Sequence, residues 1–455
     1  MDIQNLVRLQ RDFFNQNKTL DITFRLEALD KLYVKIKEKE NEILRALKED
    51  LNKSATEAYM SEVGMVLGEI SYFKRNLRKW NKPKRVLTSL ANFPSRSKIY
   101  PQPYGRVLIM APWNYPFYLS IMPLIGAIGG GNCAVVKPSA YAPTTALIIK
   151  DILDSIFPKD FVFTVLGGRE ENQMLLNTEF DYIFFTGSIK VGKLVMESAS
   201  KNLTPVTLEL GGKSPAIIDD TADLEKTAKS IAFGKFLNAG QTCVAPDYVL
   251  VHEKVKKDFI EKLKSKIEDF YTKDPLNFAD YPKIINKGHF ERLASLINEE
   301  KIVFGGKVDK ASLKIEPTII DEPANSSPLM EEEIFGPILP IVSFTSINEV
   351  IQELKKKEKP LALYIFTKNK NLYNQVIKEI PFGGGCVNDT IVHLASPSLP
   401  FGGLGQSGMG AYHGKYSFET FTHKKSIVKK GSFDLPLKYP PYSSKRLSLL
   451  KKVLK

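Results

Sequence analysis

Two residues of this chain are of the types that covalent catalysis needs. Cys243 ends the turn-forming sequence Gly240-Gln241-Thr242-Cys243, just past a helix-like stretch, and Glu209 ends a strand-like run that breaks at Gly211 and Gly212. A thiol that takes up an acyl group needs a second group to activate the water that removes it. The pair therefore predicts a nucleophile and its general base.

The other two cysteines, Cys133 and Cys386, stand beside apolar residues or glycines and are expected to be small buried residues. Three widely spaced cysteines with no CxxC pair and no cysteine–histidine cluster support neither a disulfide framework nor a metal site. The first residues lack the basic and apolar regions of an export signal, so a cytoplasmic location is expected.

Composition describes a soluble globular protein of two or three domains, because 455 residues exceed one ordinary core and 43% of them are hydrophobic. The net charge is +13, carried mostly by lysines that we interpret as scattered among acids. A solvated basic surface is favoured over a functional patch. Nucleic-acid binding is not expected, since the sequence has no stripe of alternating Arg and aromatic residues.

Short apolar strands alternate with helical runs along most of the chain. The first set, near 107–110, 134–136, 162–165 and 183–185, predicts a buried parallel sheet of the doubly wound, Rossmann-type α/β class, which binds nucleotides at its strand ends. The alternation restarts at 216–218 and continues to about 389, which predicts a second α/β domain. Residues 115–136 carry no charge, but their prolines and glycines favour a buried helix, a turn and a strand over a membrane span.

Four units follow from these patterns. Residues 1–83, which begin with a charged helical layer, and 104–208 form the nucleotide-binding domain, and 209–394 form the catalytic domain. The proline-broken strands of 84–103, together with 395–435, form an extended ribbon for oligomerisation. Residues 436–455 form a basic tail.

The end of this tail reads as an amphipathic helix. Its leucines and Val453 lie on one helical face and its lysines lie opposite. Packing on the protein itself is the favoured interpretation, and weak peripheral contact with an anionic membrane is the alternative.

Six motifs together resemble the NAD(P)-dependent aldehyde dehydrogenase superfamily over nearly the whole chain. In order they are Pro112-Trp113-Asn114-Tyr115-Pro116, Lys137-Pro138-Ser139, Phe185-Thr186-Gly187-Ser188 with Gly192, Leu208-Glu209-Leu210-Gly211-Gly212-Lys213, Gly240-Gln241-Thr242-Cys243 and Glu333-Ile334-Phe335-Gly336-Pro337. The sequences at 243–248 and 408–415 are most similar to the class 3 branch, which acts on medium-chain, aromatic and fatty aldehydes. That branch implies a homodimer.

The resemblance implies a role for each candidate catalytic residue. Cys243 attacks the aldehyde, the side-chain amide of Asn114 and the backbone N–H of Cys243 stabilise the oxyanion, and Glu209 is the base that hydrolyses the thioester. Taken singly, each would favour a structural interpretation, with Asn114 as a turn residue, Glu209 as an exposed strand-end acid and Cys243 as a buried small residue.

The turn from Gly187 to Gly192 suits the approach of a pyrophosphate to a helix N-terminus, although it is not a GxGxxG sequence. The resemblance places the adenosine ribose against Lys137 and Ser139, and the nicotinamide ribose against Glu333 with Phe335 nearby. It also implies that Trp113, Ala140, Leu210 and Ser188 border the cofactor.

Ala140 departs from the family pattern. Many NAD-preferring relatives carry a glutamate there that would repel a 2′-phosphate, so NADP is expected to be tolerated beside NAD. Alternatively, Ala140 only fills space and another residue discriminates. His413 lies in a glycine-rich stretch and is not among the predicted catalytic residues.

The sequence therefore predicts NAD(P)-dependent oxidation of an aldehyde to a carboxylate through a cysteine thiohemiacetal and thioester. An acylating enzyme that passes the thioester to coenzyme A is the nearest alternative, and Glu209 argues against it because such an enzyme needs no water-activating base. A non-catalytic, membrane-associated binding protein is the alternative from another class.

Overall fold

Helices alternate with strands through most of the protein, as the sequence predicts. The computed structural model describes residues 3–89, 92, 94–297, 300–324, 326–433 and 439–453. The helices are α1 Ile3–Asn15, α2 Ile22–Glu38, α3 Glu40–Leu51, α4 Ala55–Ala58, α5 Gly64–Trp80, α6 Pro116–Gly130, α7 Pro143–Ile156, α8 Arg169–Leu176, α9 Ile189–Ser200, α10 Leu224–Phe236, α11 Glu253–Tyr271, α12 Lys287–Ser295, α13 Pro328–Glu331, α14 Ile347–Lys356, α15 Lys370–Glu379, α16 Gly414–Thr420 and α17 Ser444–Val453.

The strands have two to nine residues, and several are completely buried. They are β1 Lys84–Val86, β2 Ser95–Pro103, β3 Arg106–Met110, β4 Cys133–Lys137, β5 Val162–Thr164, β6 Tyr182–Thr186, β7 Val206–Glu209, β8 Pro215–Ile218, β9 Tyr248–His252, β10 Ile302–Phe304, β11 Val308–Asp309, β12 Lys314–Ile315, β13 Thr318–Asp321, β14 Ile338–Phe344, β15 Ala362–Phe366, β16 Gly384–Val387, β17 Gly408–Met409 and β18 Thr422–Lys430.

The first sheet has the order β17-β7-β6-β3-β4-β5, and β3 to β7 are parallel. Every residue of β3 and β4 is buried, which explains their continuous apolar sequence. The chain grows outward from β3 through β4 to β5 and then returns to the other side of β3 for β6. At this change of direction the carboxyl ends of β3 and β6 form the crevice where doubly wound sheets bind ligands.

The second sheet has the order β10-β13-β14-β9-β8-β15-β16 and is parallel apart from the pair β10 and β13. The protein therefore contains two α/β units, as the predicted fold class requires. The connection between them runs from Glu209, at the end of β7, to Pro215, at the start of β8.

The long uncharged segment forms the predicted buried helix, turn and strand. All fifteen residues of α6 are buried, Gly131 turns the chain with φ 91°, and β4 follows. Helices α2, α3 and α5 of the amino-terminal layer pack on α6 and α7. Within the described ranges, none of the helices combines the length and apolarity that a membrane crossing requires.

The ribbon is a three-stranded antiparallel sheet of β1, β2 and β18. The described residues of 395–435 are divided between units, because within 395–433 β18 is the strand that joins the ribbon. Strand β17 pairs with Leu208 and Glu209 of β7, and α16 packs on α6. Leu210 N donates a hydrogen bond of 3.1 Å to Ser407 O, which fixes this segment to the edge of the first sheet.

The positive charge is less scattered than the sequence interpretation assumed. Strands β1 and β2 each carry two Lys or Arg residues, β18 carries four lysines, and none of the three strands contains Asp or Glu. The helix predicted at the carboxyl end is present as α17, in which Leu447 and Leu449 are exposed. Leu454 and Lys455, which belong to the predicted amphipathic pattern, lie outside the described residues.

Candidate active site

A cavity of about 260 Å³ lies between the two α/β units and brings together residues that are far apart in sequence. Asn114, Glu209 and Cys243 all line it. Its other lining residues are Pro112, Trp113, Leu119, Thr186, Gly187, Ser188, Leu210, Gly211, His289, Arg292, Glu332, Glu333, Phe335, Leu361, Phe401 and Tyr412. The three predicted catalytic residues thus meet the predicted nicotinamide-side residues in one space.

A tight turn after α10 presents Cys243 to this cavity. Asn238, Ala239 and Gly240 all have positive φ, at 53°, 51° and 74°. A Cβ added to Gly240 would lie 2.2 Å from the carbonyl oxygen of Gly336, so a side chain at this position is excluded by contact as well as by backbone conformation. The glycine of the Gly240-Gln241-Thr242-Cys243 motif is therefore required by the turn.

Gln241 holds the turn in place through three side-chain hydrogen bonds. Its Nε2 donates to Lys283 O at 3.1 Å and to Asn238 O at 3.0 Å, and its Oε1 accepts from Ile285 N at 3.0 Å. Gln241 is completely buried. These hydrogen bonds use both ends of the amide, so the residue two positions before the thiol has one fixed orientation.

Cys243 is partly buried, and burial raises the pKa of its thiol to about 12, with the nearby Glu333 and Glu209 acting in the same direction. Desolvation and negative neighbours both disfavour a thiolate. Of the other cysteines, Cys133 is buried as expected. Cys386 is only partly buried, contrary to the sequence expectation, because it lies on β16, an edge strand of the second sheet. Its Sγ lies 3.5 Å from His393 Nδ1.

Glu209 is buried at the end of β7, which corrects the alternative that it is an exposed strand-end acid. Both of its carboxyl oxygens lack a hydrogen-bond partner among the described atoms. Burial raises the pKa of this carboxyl well above its usual range. The raised pKa makes the ionised form of this carboxyl a stronger base toward a water molecule that enters the cavity.

Asn114 is fixed by polar contacts at both ends. Its Nδ2 donates to Gln241 O at 3.0 Å, and its backbone oxygen accepts from Asn238 Nδ2 at 2.7 Å. An amide nitrogen carries two hydrogens, so this bond to Gln241 leaves one available in the cavity. Tyr115, the next residue, hydrogen bonds through its hydroxyl to Thr242 Oγ1 at 2.6 Å, which ties the two loops together beside Cys243.

The turn after β6 leads directly into α9. Ser188 is the N-cap, and its Oγ accepts from Val191 N at 3.4 Å. Gly187 and Ser188 line the cavity, whereas Gly192 packs behind it, where a Cβ would meet Leu210 at 2.7 Å. Unpaired N–H groups at a helix N-terminus form an anion site, which fits a pyrophosphate.

Glu333 lies against the backbone of Gly211, where a Cβ would come within 2.0 Å of its Oε2. Burial and the nearby Asp247 raise the pKa of Glu333 to about 8. Phe335 and Trp113 pack edge to face on the wall of the cavity, with ring centroids 5.4 Å apart. Gly211 of the Glu209 motif thus makes room for Glu333 next to the thiol.

A second cavity of about 980 Å³ lies on the other side of the α9 N-terminus and contains the predicted adenosine-side residues Lys137, Ser139 and Ala140. Lys137 Nζ donates to Gly167 O at 2.7 Å and to Pro138 O at 2.9 Å, which leaves its third hydrogen available for a ligand. Burial lowers the pKa of this amine to about 8. Ser139 Oγ accepts from Tyr141 N at 3.2 Å.

Charged residues around this second cavity are mainly cationic. Arg169, Lys190 and Lys201 line it, and Glu197 is the acid among its lining residues. Ala140 is exposed and adds no carboxylate. The donors and charges of this space fit the phosphates and ribose of a dinucleotide.

Sequence reasoning missed several residues that line or support the first cavity. His289 packs on Trp113 with ring centroids 4.9 Å apart, and Arg292 Nη2 donates to Ile334 O at 2.6 Å beside Glu333. Both lie on α12 with a spacing of three residues, and this helical spacing was the available signal. His413 is buried, and its Nε2 pairs with Tyr118 OH at 2.8 Å, so it lies behind the lining residue Tyr412.

The fold and the cavity define a two-domain α/β enzyme with a cysteine in the cleft between its domains. The model of the aldehyde dehydrogenase family matches residues 1–427. The chain belongs to this family and is an aldehyde dehydrogenase.

Several curated relatives are similar over nearly their whole length. A 4,4'-diaponeurosporen-aldehyde dehydrogenase of Staphylococcus aureus (strain NCTC 8325 / PS 47) is 50% identical, covering 95% of this chain and 95% of that protein. Aldehyde dehydrogenase family 3 member A2 of Mus musculus is 45% identical, covering 97% and 92%. The mouse protein named "Aldehyde dehydrogenase, dimeric NADP-preferring" is 43% identical, covering 98% and 99%. These names confirm the similarity to class 3.

Solved structures agree with this assignment. The substrate-bound state of Staphylococcus aureus AldH superposes with a TM-score of 0.97 at 48% identity and covers all of both chains. A betaine aldehyde dehydrogenase of S. aureus in complex with NAD+ has a TM-score of 0.85 at 27% identity, covering 96% of this chain and 91% of that one. The predicted fold class is confirmed.

Proposed function

We propose that this aldehyde dehydrogenase oxidises an aldehyde to a carboxylate with NAD(P), through a thiohemiacetal and then a thioester on Cys243. The observation that carries the proposal is that Cys243, Glu209 and Asn114 line one cavity, which also reaches Gly187 and Ser188 at the start of α9. A nucleophile, a base and an oxyanion donor are the parts that an acyl-enzyme route requires.

Each of the three proposed catalytic residues acts in a particular step of the reaction. Cys243 loses its thiol proton to solvent, and its Sγ bonds to the carbonyl carbon while the remaining amide hydrogen of Asn114 and the backbone N–H of Cys243 stabilise the oxygen as it gains charge. The nicotinamide ring, when bound, supplies the acceptor for the departing hydride. Glu209 then takes a proton from water, the oxygen of that water bonds to the thioester carbon, and the C–S bond breaks to release the carboxylate.

The cofactor would be held in two parts. Lys137 and Ser139 would bind the adenosine ribose, the α9 N-terminus at Gly187 and Ser188 would bind the pyrophosphate, and Glu333 would bind the nicotinamide ribose. The observations that support this are the spare hydrogen of Lys137 and the glycine contact at Gly211 that lets Glu333 reach the cavity.

Both NAD and NADP are proposed as cofactors, and a homodimer is proposed as the assembly. Ala140 places no carboxylate beside the ribose, and the lining cations Arg169, Lys190 and Lys201 favour an additional phosphate. The printed name of the mouse relative, dimeric and NADP-preferring, supports both points.

Apolar aldehydes are the proposed substrates. Leu119, Leu361, Phe401 and Tyr412 line the cavity beside Cys243, and such side chains favour an aliphatic or aromatic group over a charged one. The name of the S. aureus relative specifies the aldehyde of that protein, and an apolar aldehyde of this kind belongs in the substrate panel.

The test is a panel of aliphatic and aromatic aldehydes followed by NAD(P)H absorbance. Cys243→Ser should lower the rate at least about a thousandfold, since nucleophile replacement removes the acyl-enzyme route. Cys386→Ser is the matched control, because that thiol does not line the cavity, and it should retain activity within a few-fold. Full activity in Cys243→Ser would end the proposal.

Addition of coenzyme A separates the acylating alternative. With Glu209 as the base, the product should remain the free carboxylate and the rate should not depend on coenzyme A. Acyl-CoA as the main product would instead favour the acylating enzyme.

We also propose weak peripheral contact with an anionic membrane as a second property. It is supported by the acid-free strands of the ribbon and by α17, where Leu447 and Leu449 are exposed beside Lys451 and Lys452. Basic groups near an anionic bilayer contribute about 1 kcal/mol each.

Flotation should compare vesicles that contain phosphatidylglycerol with vesicles of phosphatidylcholine alone. Binding to the anionic vesicles should be lost at high salt and weakened by truncation after residue 442. Equal flotation with both lipids would refute it.

A further inference from the structure

A completely buried ion pair lies behind the proposed oxyanion site. Lys53 Nζ contacts Glu62 Oε1 at 2.5 Å, and the side chains of both residues are 0% exposed. Lys53 follows α3, and Glu62 lies in the π-helical turn Tyr59–Val63 that precedes α5. Both therefore come from the amino-terminal helical layer, which neither the motifs nor the proposed reaction includes.

Lys53 and Glu62 form hydrogen bonds to the two ends of the segment 114–118. Lys53 Nζ donates to the backbone oxygen of Asn114 at 3.1 Å and lies 3.9 Å from the ring centroid of Tyr115. Glu62 Oε2 accepts from the backbone N–H groups of Phe117 at 2.9 Å and Tyr118 at 3.1 Å. These are N–H groups at the start of α6 that have no partner within the helix. The chain from 114 to 118 is thus held at its carbonyl and at its helix start by two opposite charges.

A second contact connects the same layer to the cysteine loop. Glu57 Oε1 accepts from Asn238 N at 2.8 Å, at the first of the three positive-φ residues before Cys243. Asn238 Nδ2 in turn donates to Asn114 O at 2.7 Å, so that oxygen accepts from both Lys53 and Asn238. The oxyanion loop and the nucleophile loop share one polar network.

We infer that Lys53 and Glu62, supported by Glu57, are positioning residues that hold the carboxamide of Asn114 where the oxyanion develops. The inference rests on the proposed function, in which Asn114 is an oxyanion donor and Cys243 is the nucleophile. It explains why charged groups are present at all, because a buried ion pair is a costly way to fill space and apolar side chains of similar volume are often as stable.

The expected effect of losing this pair is specific to carbonyl chemistry. Without Lys53, the Asn114 peptide loses one of its two donors and Glu62 loses its cation, so the loop can turn away from Cys243. A displacement of about 1 Å from the required geometry costs about a hundredfold in rate. A reaction of the Cys243 thiol that forms no oxyanion should not be slowed when Asn114 is displaced.

Two reactions of the same thiol therefore test the inference. p-Nitrophenyl acetate acylates Cys243 through a tetrahedral oxyanion and releases p-nitrophenolate. Iodoacetamide alkylates the sulfur at a CH₂ group and releases iodide, so no oxyanion forms. Lys53→Met should lower the acylation rate about 10- to 100-fold and change the alkylation rate less than about threefold. Glu62→Gln, which retains an acceptor oxygen for Phe117 N and Tyr118 N, should show a smaller change in the same direction.

Two controls separate this inference from its premises. Asn114→Ala must itself lower acylation more than alkylation; if it does not, the proposed oxyanion role is wrong. Arg106→Met breaks a partly buried ion pair, that with Asp181 (2.9 Å), away from the cavity and should leave the ratio of the two rates unchanged.

Equal loss of both reactions in Lys53→Met, or no loss of acylation while Asn114→Ala shows one, would overturn the inference. If Lys53→Met does not fold, Glu62→Gln gives the same decision from the same ratio.

Discussion

Gly187 N donates a hydrogen bond of 3.0 Å to Glu209 O, so the start of the proposed phosphate turn and the proposed general base belong to one pair of strands. Thr186 and Glu209 are register partners at the ends of β6 and β7. Because parallel strands end at the same edge of a sheet, the cofactor turn and the base are fixed relative to each other by the backbone. Changes to the Glu209 side chain should therefore affect chemistry while leaving the turn in place.

Glu209→Gln should separate the two halves of the reaction. Removal of the base should slow hydrolysis of the thioester by at least about a hundredfold, the usual contribution of a general base, while formation of the thioester continues. Rapid mixing should then record a burst of about one NAD(P)H per active site followed by a slow steady state. Glu331→Gln, on the exposed end of α13, is the control for charge removal. A variant with no burst would show that Glu209 acts before the thioester forms.

The residues that the sequence identified are those that one motif can position. Cys243 depends on Gly240, whose positive φ and contact with Gly336 leave a trace in the sequence as a glycine. Glu209 and Gly211 leave a similar trace, because Gly211 makes room for Glu333. Local backbone requirements of this kind are visible in a single chain.

Supporting residues leave no such trace. Lys53 precedes Asn114 by 61 positions, and a lone lysine is usually solvated, yet this one is completely buried. The charge distribution was missed for the same reason, since β2 and β18 are 323 positions apart at Gln102 and Lys425 and become neighbours only by pairing. Contacts between distant segments depend on packing, which periodicity does not encode.

Reactivity of Cys243 in the free enzyme should increase with pH over a wide range. Burial raises the pKa of this thiol to about 12. Below its pKa the thiolate fraction grows about tenfold per pH unit, so alkylation by iodoacetamide should rise about tenfold per unit from about pH 7 to about pH 10. Mass spectrometry of the Cys243 peptide gives the rate, and free cysteine, with a pKa of about 8.5, is the reference that levels off earlier. A plateau below pH 8 would contradict a protonated resting thiol.

NADP should serve as cofactor, because Ala140 presents no carboxylate to the 2′-phosphate. Steady-state kinetics with both cofactors should give kcat/KM values within a thousandfold of each other, and a larger preference for NAD would refute the expectation. Ala140→Glu should lower kcat/KM for NADP about tenfold or more relative to NAD, since a like charge beside the phosphate is unfavourable. Glutamine has nearly the volume of glutamate but carries no charge, so Ala140→Gln should not produce this selective loss.

Stability should depend on the ionisation of Glu69. This carboxyl is buried in α5, where its Oε1 accepts from Gly414 N at 2.6 Å, and burial raises its pKa from 4.5 to about 7. The folded protein therefore retains this proton to a higher pH than the unfolded chain does. The corresponding stabilisation is complete below about pH 4.5 and is lost as pH rises through about 7.

Glu69→Gln keeps the acceptor oxygen but cannot ionise. Its free energy of unfolding relative to the wild type should thus increase by about 1–3 kcal/mol between about pH 5 and pH 8. Denaturant unfolding at both pH values measures the difference, with the exposed Glu27→Gln as control. A difference that stays constant with pH would show that Glu69 is already ionised in the folded state at pH 5.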